Sequence, residues 1–448
     1  MASAAEQLAS NLNWGAIGKA TELKKRLWFT VGALVVFRIG AYIPVPGVDP
    51  HALAEMFAQN AGGIAGMLDV FSGGSIGRMS VLALSIMPYI SASIIMQILT
   101  TVVPSLEALK KEGEAGRKKI NQYTRYGTVI LAAFQAYGIA VGLESQVMSA
   151  GPVVIDPGLF FRFVTVITLV GGTLFLMWLG EQITQRGVGN GVSLIIFAGI
   201  VAALPSALIQ TLELGRTGAL SALFIIALVV GVVVVVAVVV FMETAQRRII
   251  VQYPKRQVGN RMYGGEASHL PLKINTSGVI PPIFASSLLL FPATIASFQG
   301  SAGEPGWVQW IATYLGHGQP LYLLSYIGLI VFFCFFYTTV VFNPTDTADN
   351  LKKNGGFVPG IRPGKNTAEY LEYILNRLTV VGALYLSAVC ILPELLIARG
   401  GVPFYFGGTS LLIVVSVTLD TVTQIQAHLL AHQYEGLIKE ARLRGRGR

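Results

Sequence analysis

Apolar residues run in long blocks along this chain, and polar residues, glycines and prolines gather between the blocks. Ten blocks fall at 27–43, 80–103, 123–141, 159–179, 192–209, 219–242, 279–298, 321–342, 375–392 and 402–422. A bilayer core takes roughly 20 apolar residues per helix, and 218–242 and 321–345 contain no Asp, Glu, Lys or Arg. Inside lipid a lone segment satisfies its backbone only by becoming helical. The pattern therefore predicts an all-α polytopic membrane protein with ten transmembrane helices.

Two regions break this rhythm. The long connection 44–79 carries an apolar piece at 64–71, too short to span, followed by Ser72, Gly73 and Gly74. Such a piece beside a glycine hinge is either an ordinary outer loop or a short helix re-entering a cavity shielded from lipid. The second region is a repeat: PYISAS at Pro88–Ser93 recurs as PPIFAS at Pro281–Ser286. Each copy sits second in a set of five spans. An odd number of spans per half makes the two copies face opposite ways, the inverted-repeat arrangement of membrane transporters.

Composition agrees with lipid as the solvent, at 53% hydrophobic and 12% charged residues. All but five of the 32 Lys and Arg residues lie before the first block, in alternate loops or in the tail; the five are Arg38, Arg78, Arg162, Arg216 and Arg399. The positive-inside rule then puts both termini and the large basic loops in the cytosol. The first 23 residues carry Glu6, Lys19 and Glu22 with no compact apolar run, so they do not read as a cleavable signal peptide. The net charge of +9 lacks the interleaved aromatics of a single-strand binder, so no DNA partner is expected. Cys334 and Cys390 each sit inside an apolar stretch and read as buried thiols.

Chemistry-bearing motifs are missing. There is no Gly-x4-Gly-Lys-Ser/Thr and no His-Glu-x-x-His, so neither a metal nor a cofactor is expected and the chain does not read as an enzyme. GVGNG at Gly187–Gly191 follows no strand and reads as a tight entry into the next helix rather than a phosphate cradle. Arg38, Arg162, Glu181 and Asp420 lie toward block ends, leaving the mid-depth almost without charge. That argues against an ion-coupled carrier. Ile86, Ile90, Val192, Ile196, Ile280 and Ile413 populate the mid-depth of several blocks; composition alone makes these ordinary lipid-facing residues. Two long loops stand out, 245–261 with Arg247, Arg248, Lys255 and Arg256, and 354–365 with Arg362. They are either orienting charge runs or docking surfaces for an acidic protein or ribosomal RNA.

Taken together, the motifs resemble one family. RIGAYIPVPG from Arg38, IMPYIS from Ile86, KEGE from Lys111, QYTRY from Gln122, GVGNG from Gly187, RRI from Arg247, GIRPG from Gly360 and FYFGGTS from Phe404 are all similar to the SecY family of bacterial translocon channels. The likeness runs from about residue 23 to the C-terminus, and only the outer loops 144–157 and 300–320 are of the variable kind.

This resemblance implies two inverted pseudo-symmetric halves closing like a clamshell around an hourglass pore. It divides the chain into a cytosolic segment 1–22, an N-terminal half 23–210 with a plug near 64–78, a C-terminal half 211–424 with cytosolic loops 243–276 and 344–374, and a basic cytosolic tail 425–448. It implies a pore ring of Ile86, Ile90, Val192, Ile196, Ile280 and Ile413, and a plug bearing Ile64, Met67, Leu68, Val70, Phe71, Gly73 and Gly74. Pro88, Ser91, Pro281 and Ser286 would belong to a lateral gate, and Arg247, Arg248, Lys255, Arg256 and Arg362 to a docking surface. The function implied is passage of unfolded secretory polypeptides across the bacterial inner membrane and lateral release of transmembrane segments into lipid. The expected partners are SecE, SecG, the SecA motor, a translating ribosome, signal sequences, nascent polypeptides and membrane lipids. The competing reading is a secondary transporter of a small solute, which inverted repeats also suit.

Overall fold

The structure is a computed structural model that describes residues 20–59, 69, 72–144, 147–148, 151–218, 221–253, 256–258, 261–263, 267–299, 319–400 and 408–445. Each of the ten expected spans overlaps a helix among the described residues. In chain order the helices are α1 (Thr21–Gly40), α2 (Pro50–Gln59), α3 (Met87–Val102), α4 (Pro104–Lys111), α5 (Glu114–Glu144), α6 (Leu159–Arg186) and α7 (Gly191–Arg216). They continue with α8 (Ala222–Thr244), α9 (Ile280–Gln299), α10 (Pro320–Val341), α11 (Pro344–Lys353), α12 (Lys365–Gly400) and α13 (Gly408–Gly445). Among the described residues, 7 helices are long and apolar enough to cross a bilayer, or 8 if the bent pair α3 and α4 is one span. α1 is long enough, but Glu22, Lys24, Lys25 and Arg26 crowd its first turns. α9 is apolar over Ile280–Leu289.

Neighbouring helices repeat between the two halves. α3 packs on α5, α5 on α6, α6 on α7 and α1 on α7; correspondingly α9 packs on α10, α10 on α12, α12 on α13 and α8 on α13. Between the halves, α7 and α1 meet α13 along one side, and α9 meets α3 and α5 along the other. The sixth span, α8, stands apart: 6% of its most apolar stretch is buried, against 56% for the ninth-span stretch Lys365–Pro393.

The second span starts later than its hydropathy suggests. Residues 80–86 form successive turns, and the helix begins at Met87. Met79 and Ser85 hold positive φ of 44° and 51°, and the N–H of Val81 donates to the carbonyl of Ile43 at 2.8 Å. Left-handed residues at both ends and a bond to the 43–45 strand-like segment break the i to i−4 ladder. Pro104 lacks the N–H that would continue α3, and the pair bends by 97°.

The described strands all lie outside the spans. β1 (Val147–Met148) pairs with β2 (Gly151–Pro152), β3 (Gln246–Gln252) with β6 (Ala267–Lys273), and β4 (Arg256–Val258) with β5 (Arg261–Tyr263). The loop read from sequence as a basic projection is thus an antiparallel hairpin, with Arg247 opposite Leu272 and Ile249 opposite Leu270. Gln252 exchanges both backbone bonds with Phe357, at 2.9 and 3.0 Å. Ile249 and Leu272 share a small core with Val358, Leu371, Ile374 and Leu375. Two loops a hundred residues apart in sequence therefore form one body.

Candidate channel site

The GVGNG turn sets the geometry from which the site is built. Asn190 caps α7, its side-chain oxygen accepting from the N–H groups of Val192 and Ser193. The N–H of Val188 donates to the Thr30 hydroxyl of α1 at 3.0 Å, and that of Gly189 to the Gln424 side chain of α13 at 2.8 Å. A Cβ on Gly191 would strike the carbonyl of Gly180 on α6. The glycines are there for close backbone approach and for the positive φ of 91° at Gly189. The turn ties α1, α6, α7 and α13 together on the side where the halves join, and its residues are committed to structure rather than to phosphate.

From that anchor α7 carries Val192 and Ile196 one turn apart on a single face. Ile90 comes from α3, Ile280 from the first position of α9, and Ile413 from α13. Ile86 immediately follows the left-handed Ser85, which aims it into the core. All six belong to one apolar cluster or pack directly against it. Ile86 is 0% exposed and Ile413 2%. Ile90, Val192, Ile196 and Ile280 line a cavity of about 420 Å³. Four of the expected ring residues therefore surround one open space, and Ile86 and Ile413 are buried in the same apolar cluster.

Polar groups complete the cavity wall: Tyr89, Ser93, Gln97, Asn121, Gln185 and Asn190. With them is an ion pair in which Arg125 of α5 grips Glu181 of α6 with Nη2 at 2.7 and 2.6 Å and Nε at 3.1 Å. Sequence reasoning noticed Glu181 at a span end but not its partner, which lies 56 residues away.

The expected gate residues lie on α3 and α9, two helices that meet between the halves. Pro88 is buried and Ser91 half-buried on α3; Pro281 and Ser286 are buried on α9. Ser286 donates to the carbonyl of Ile283 at 3.0 Å, so its hydroxyl is satisfied within its own helix. Phe284 lines the cavity and stands edge-on to Phe333 of α10 at 5.6 Å, which couples α9 to its own half.

At the other end of the bundle, Gly73 and Gly74 hold φ of +69° and +81° in a tight turn. Ile64, Met67, Leu68, Val70 and Phe71 of the expected plug lie outside the described residues. Asp69 caps the turn, accepting from the Gly77 N–H at 2.7 Å; burial pushes its carboxyl above the usual value, with the Gly77 bond and Arg78 pulling it back. A second ion pair, Arg162 with Glu144 at 2.7 Å, clamps α6 to the end of α5. On the hairpin body Arg247, Arg248 and Arg362 are exposed. Lys255 lies outside the described residues, as does the side chain of Arg256, whose backbone belongs to β4.

A model of the SecY family matches residues 80–422 of this chain. A Rickettsia conorii protein named protein translocase subunit SecY is 59% identical over 423 residues, covering 94% of this chain and 97% of that protein. Two solved structures share the fold at 20% identity, each covering 90% of this chain and 92% of the other. One, with a TM-score of 0.65, is a channel whose plug domain is described as stabilising the closed state and maintaining a membrane seal. The other, with a TM-score of 0.64, is Sec61 in a canine ribosome–channel complex from the endoplasmic reticulum.

Proposed function

The chain belongs to the SecY family, and from that premise we propose how its geometry passes a polypeptide. It is a multi-span membrane protein, the protein-conducting channel subunit of a translocase, and not an enzyme. The observation that carries the mechanism is that Ile90, Val192, Ile196 and Ile280, from three separate helices, wall one cavity beside the contact of α3 and α5 with α9.

Water in a narrow apolar constriction loses hydrogen bonds and leaves, so ions find no path. Ile86 and Ile413, buried in the same apolar cluster, shut the constriction when no chain is present. Branched apolar side chains touch any passing residue without demanding a hydrogen bond, so the ring accepts every sequence. The halves are bound through the GVGNG turn on one side and meet through α9, against α3 and α5, on the other. Parting α9 from α3 and α5 opens a path into lipid, into which an apolar segment gains about 0.3–0.6 kcal/mol per Leu, Ile, Phe or Val at the helix centre. The turn around Gly73 and Gly74 closes the outer end as part of a plug near 64–78.

The chain lacks a nucleotide-binding motif, so directional work falls to a partner. The hairpin body, with Arg247, Arg248 and Arg362 exposed, is the surface we assign to a SecA-type motor or a ribosome, and Lys255 and Arg256 belong to the same assignment by sequence. SecE and SecG are the expected companion subunits. The charge bias of the loops supports a bacterial inner-membrane orientation with both termini cytosolic, and the repeated helix packing supports the division into halves 23–210 and 211–424.

Photocrosslinking tests this reading. A stalled secretory chain should crosslink to probes at positions 90 and 196 in the complex, and not to one at Leu223 on the outer surface of α8. Crosslinks absent from the ring, together with saturable uptake of a small solute by the protein alone, would favour a carrier.

A further inference from the structure

The first span ends on an arginine whose bonds go to a carbonyl and a phenol. Beyond Arg26, Arg38 is the one charged residue of α1, in its last turn, and among the described residues no acidic side chain pairs with it. Its Nη1 instead donates to the backbone carbonyl of Gly73 at 2.6 Å, and its Nη2 to the Tyr42 hydroxyl at 3.1 Å. The guanidinium carbon lies 5.0 Å from the centre of the Tyr42 ring, and that of Arg78 lies 4.2 Å from the same ring. A guanidinium offers five donors in a rigid fork, which lets one side chain hold a carbonyl and a phenol together.

The segment it holds is a self-contained knot. The carbonyl of Asp69 accepts from the Gly74 N–H at 2.8 Å and from the Ser72 hydroxyl at 3.0 Å. The Asp69 carboxylate takes the Gly77 N–H, and the Ser72 hydroxyl takes the Ile76 N–H at 3.2 Å. A knot bonded this way moves as a unit. Among the described residues its attachments to the spans include the Arg38 bond to α1, the apolar contact of Ile76 with the cluster built by α5 and α6, and backbone packing against α7, where a Cβ on Gly73 would come within 2.9 Å of the Gly199 Cα.

We propose that Arg38 is a positioning residue that pins the Gly73 turn to the first span and so holds the outer end of the channel shut. This rests on the channel reading and adds the residue that sets its resting state. A charge-assisted bond to a carbonyl is strong while made and is broken as one event. A chain emerging through the ring has to displace the turn, and in doing so it breaks this bond.

The test uses the complex purified with its partner subunits, in planar bilayers, with conductance normalised to protein and export measured in parallel. Arg38→Met removes the donors at similar length and should raise resting conductance roughly ten- to a hundredfold while export continues. Arg38→Lys keeps one donor and should fall between Met and wild type. Gly73→Ala displaces the turn while leaving the Arg38 side chain itself unaltered, because its φ is strained for alanine and its Cβ meets the Gly199 backbone at 2.9 Å and Arg38 Nη1 at 3.3 Å. It should leak as Arg38→Met does, and the double variant should leak no more than the leakier single. Intact Arg38→Met that conducts no more than wild type, or singles whose effects multiply, would overturn the pin. Leak through asparagine at Ile86 and Ile413 is the control. If those variants leak and Arg38→Met does not, the pin alone is wrong; if none leaks, the channel reading falls with it.

Discussion

Replacing Ile86 and Ile413 by asparagine separates a pore seal from an ordinary core. Ile86 is 0% and Ile413 2% exposed, so in the shut state each new amide lies among carbon. Losing the burial of an isoleucine costs about 1.5–3 kcal/mol, and an amide without a partner about 1–3 kcal/mol more. Against the shut state this comes to roughly 3–6 kcal/mol per site, but the amide recovers its hydrogen bonds wherever the open constriction is wet. Every 1.4 kcal/mol is tenfold, so even one substitution should shift the ratio of open to shut by on the order of a hundredfold. The assay is bilayer conductance of the purified complex per unit protein, with export measured alongside. Leucine at both positions keeps the site apolar, costs under about 1.5 kcal/mol, and should seal. Were the residues plain core, the same cost would fall on folding, reducing the amount of protein without raising conductance. An asparagine double variant that accumulates, exports and conducts like wild type refutes the reasoning.

Three further outcomes are expected. Cysteines at Gly355 and Asp156, both exposed, should label from opposite faces of the membrane, Gly355 from the cytosol; the reverse pattern inverts the orientation. Gly191→Ala forces a Cβ into the Gly180 carbonyl where two helix backbones meet, and should cost at least about 1–3 kcal/mol, seen as poor accumulation, whereas Gly231→Ala, with open space around it, should be silent. Asp69 sits above its ordinary pKa of 3.8 because burial disfavours its charge. The folded turn therefore prefers the neutral acid; this preference is fully present below 3.8 and is lost as pH rises through the raised value. Acidifying the outer compartment should tighten the turn and lower resting leak in the wild type but not in Asp69→Asn, and equal pH profiles would remove Asp69 from the account.

Spans were legible because lipid leaves a backbone no choice but the helix, so apolar length reports position directly. The start of the second span was not: 80–86 is as apolar as the helix that continues it, but Met79 and Ser85 take left-handed conformations imposed by a partner segment around Ile43. The hairpin at 246–273 does carry a short signal, Ile249 and Val251 inward with Arg248 and Ile250 outward. Its basic residues masked that alternation, and its link to Phe357 depends on a residue far along the chain. The ring residues came from family resemblance, since branched apolar side chains in a span look alike whether they face lipid, core or cavity. Charged residues at span ends could be read one by one, but not their pairing, as Arg125 with Glu181 and Arg38 with a carbonyl both show.

The loose packing of α8 bears on how the protein is made. A helix with mean hydropathy of 3.6 and so little surface covered by its neighbours gains little stability from the rest of the fold; lipid suffices. When the ribosome has produced the first six spans and nothing after them, α8 can already rest in its final place. The last four spans, which bury far more of themselves against one another, then arrive beside a post that is already standing. Truncation after residue 244 should leave an N-terminal half with α8 inserted in its native direction, while truncation within α12 should leave a chain that the cell's membrane proteases remove.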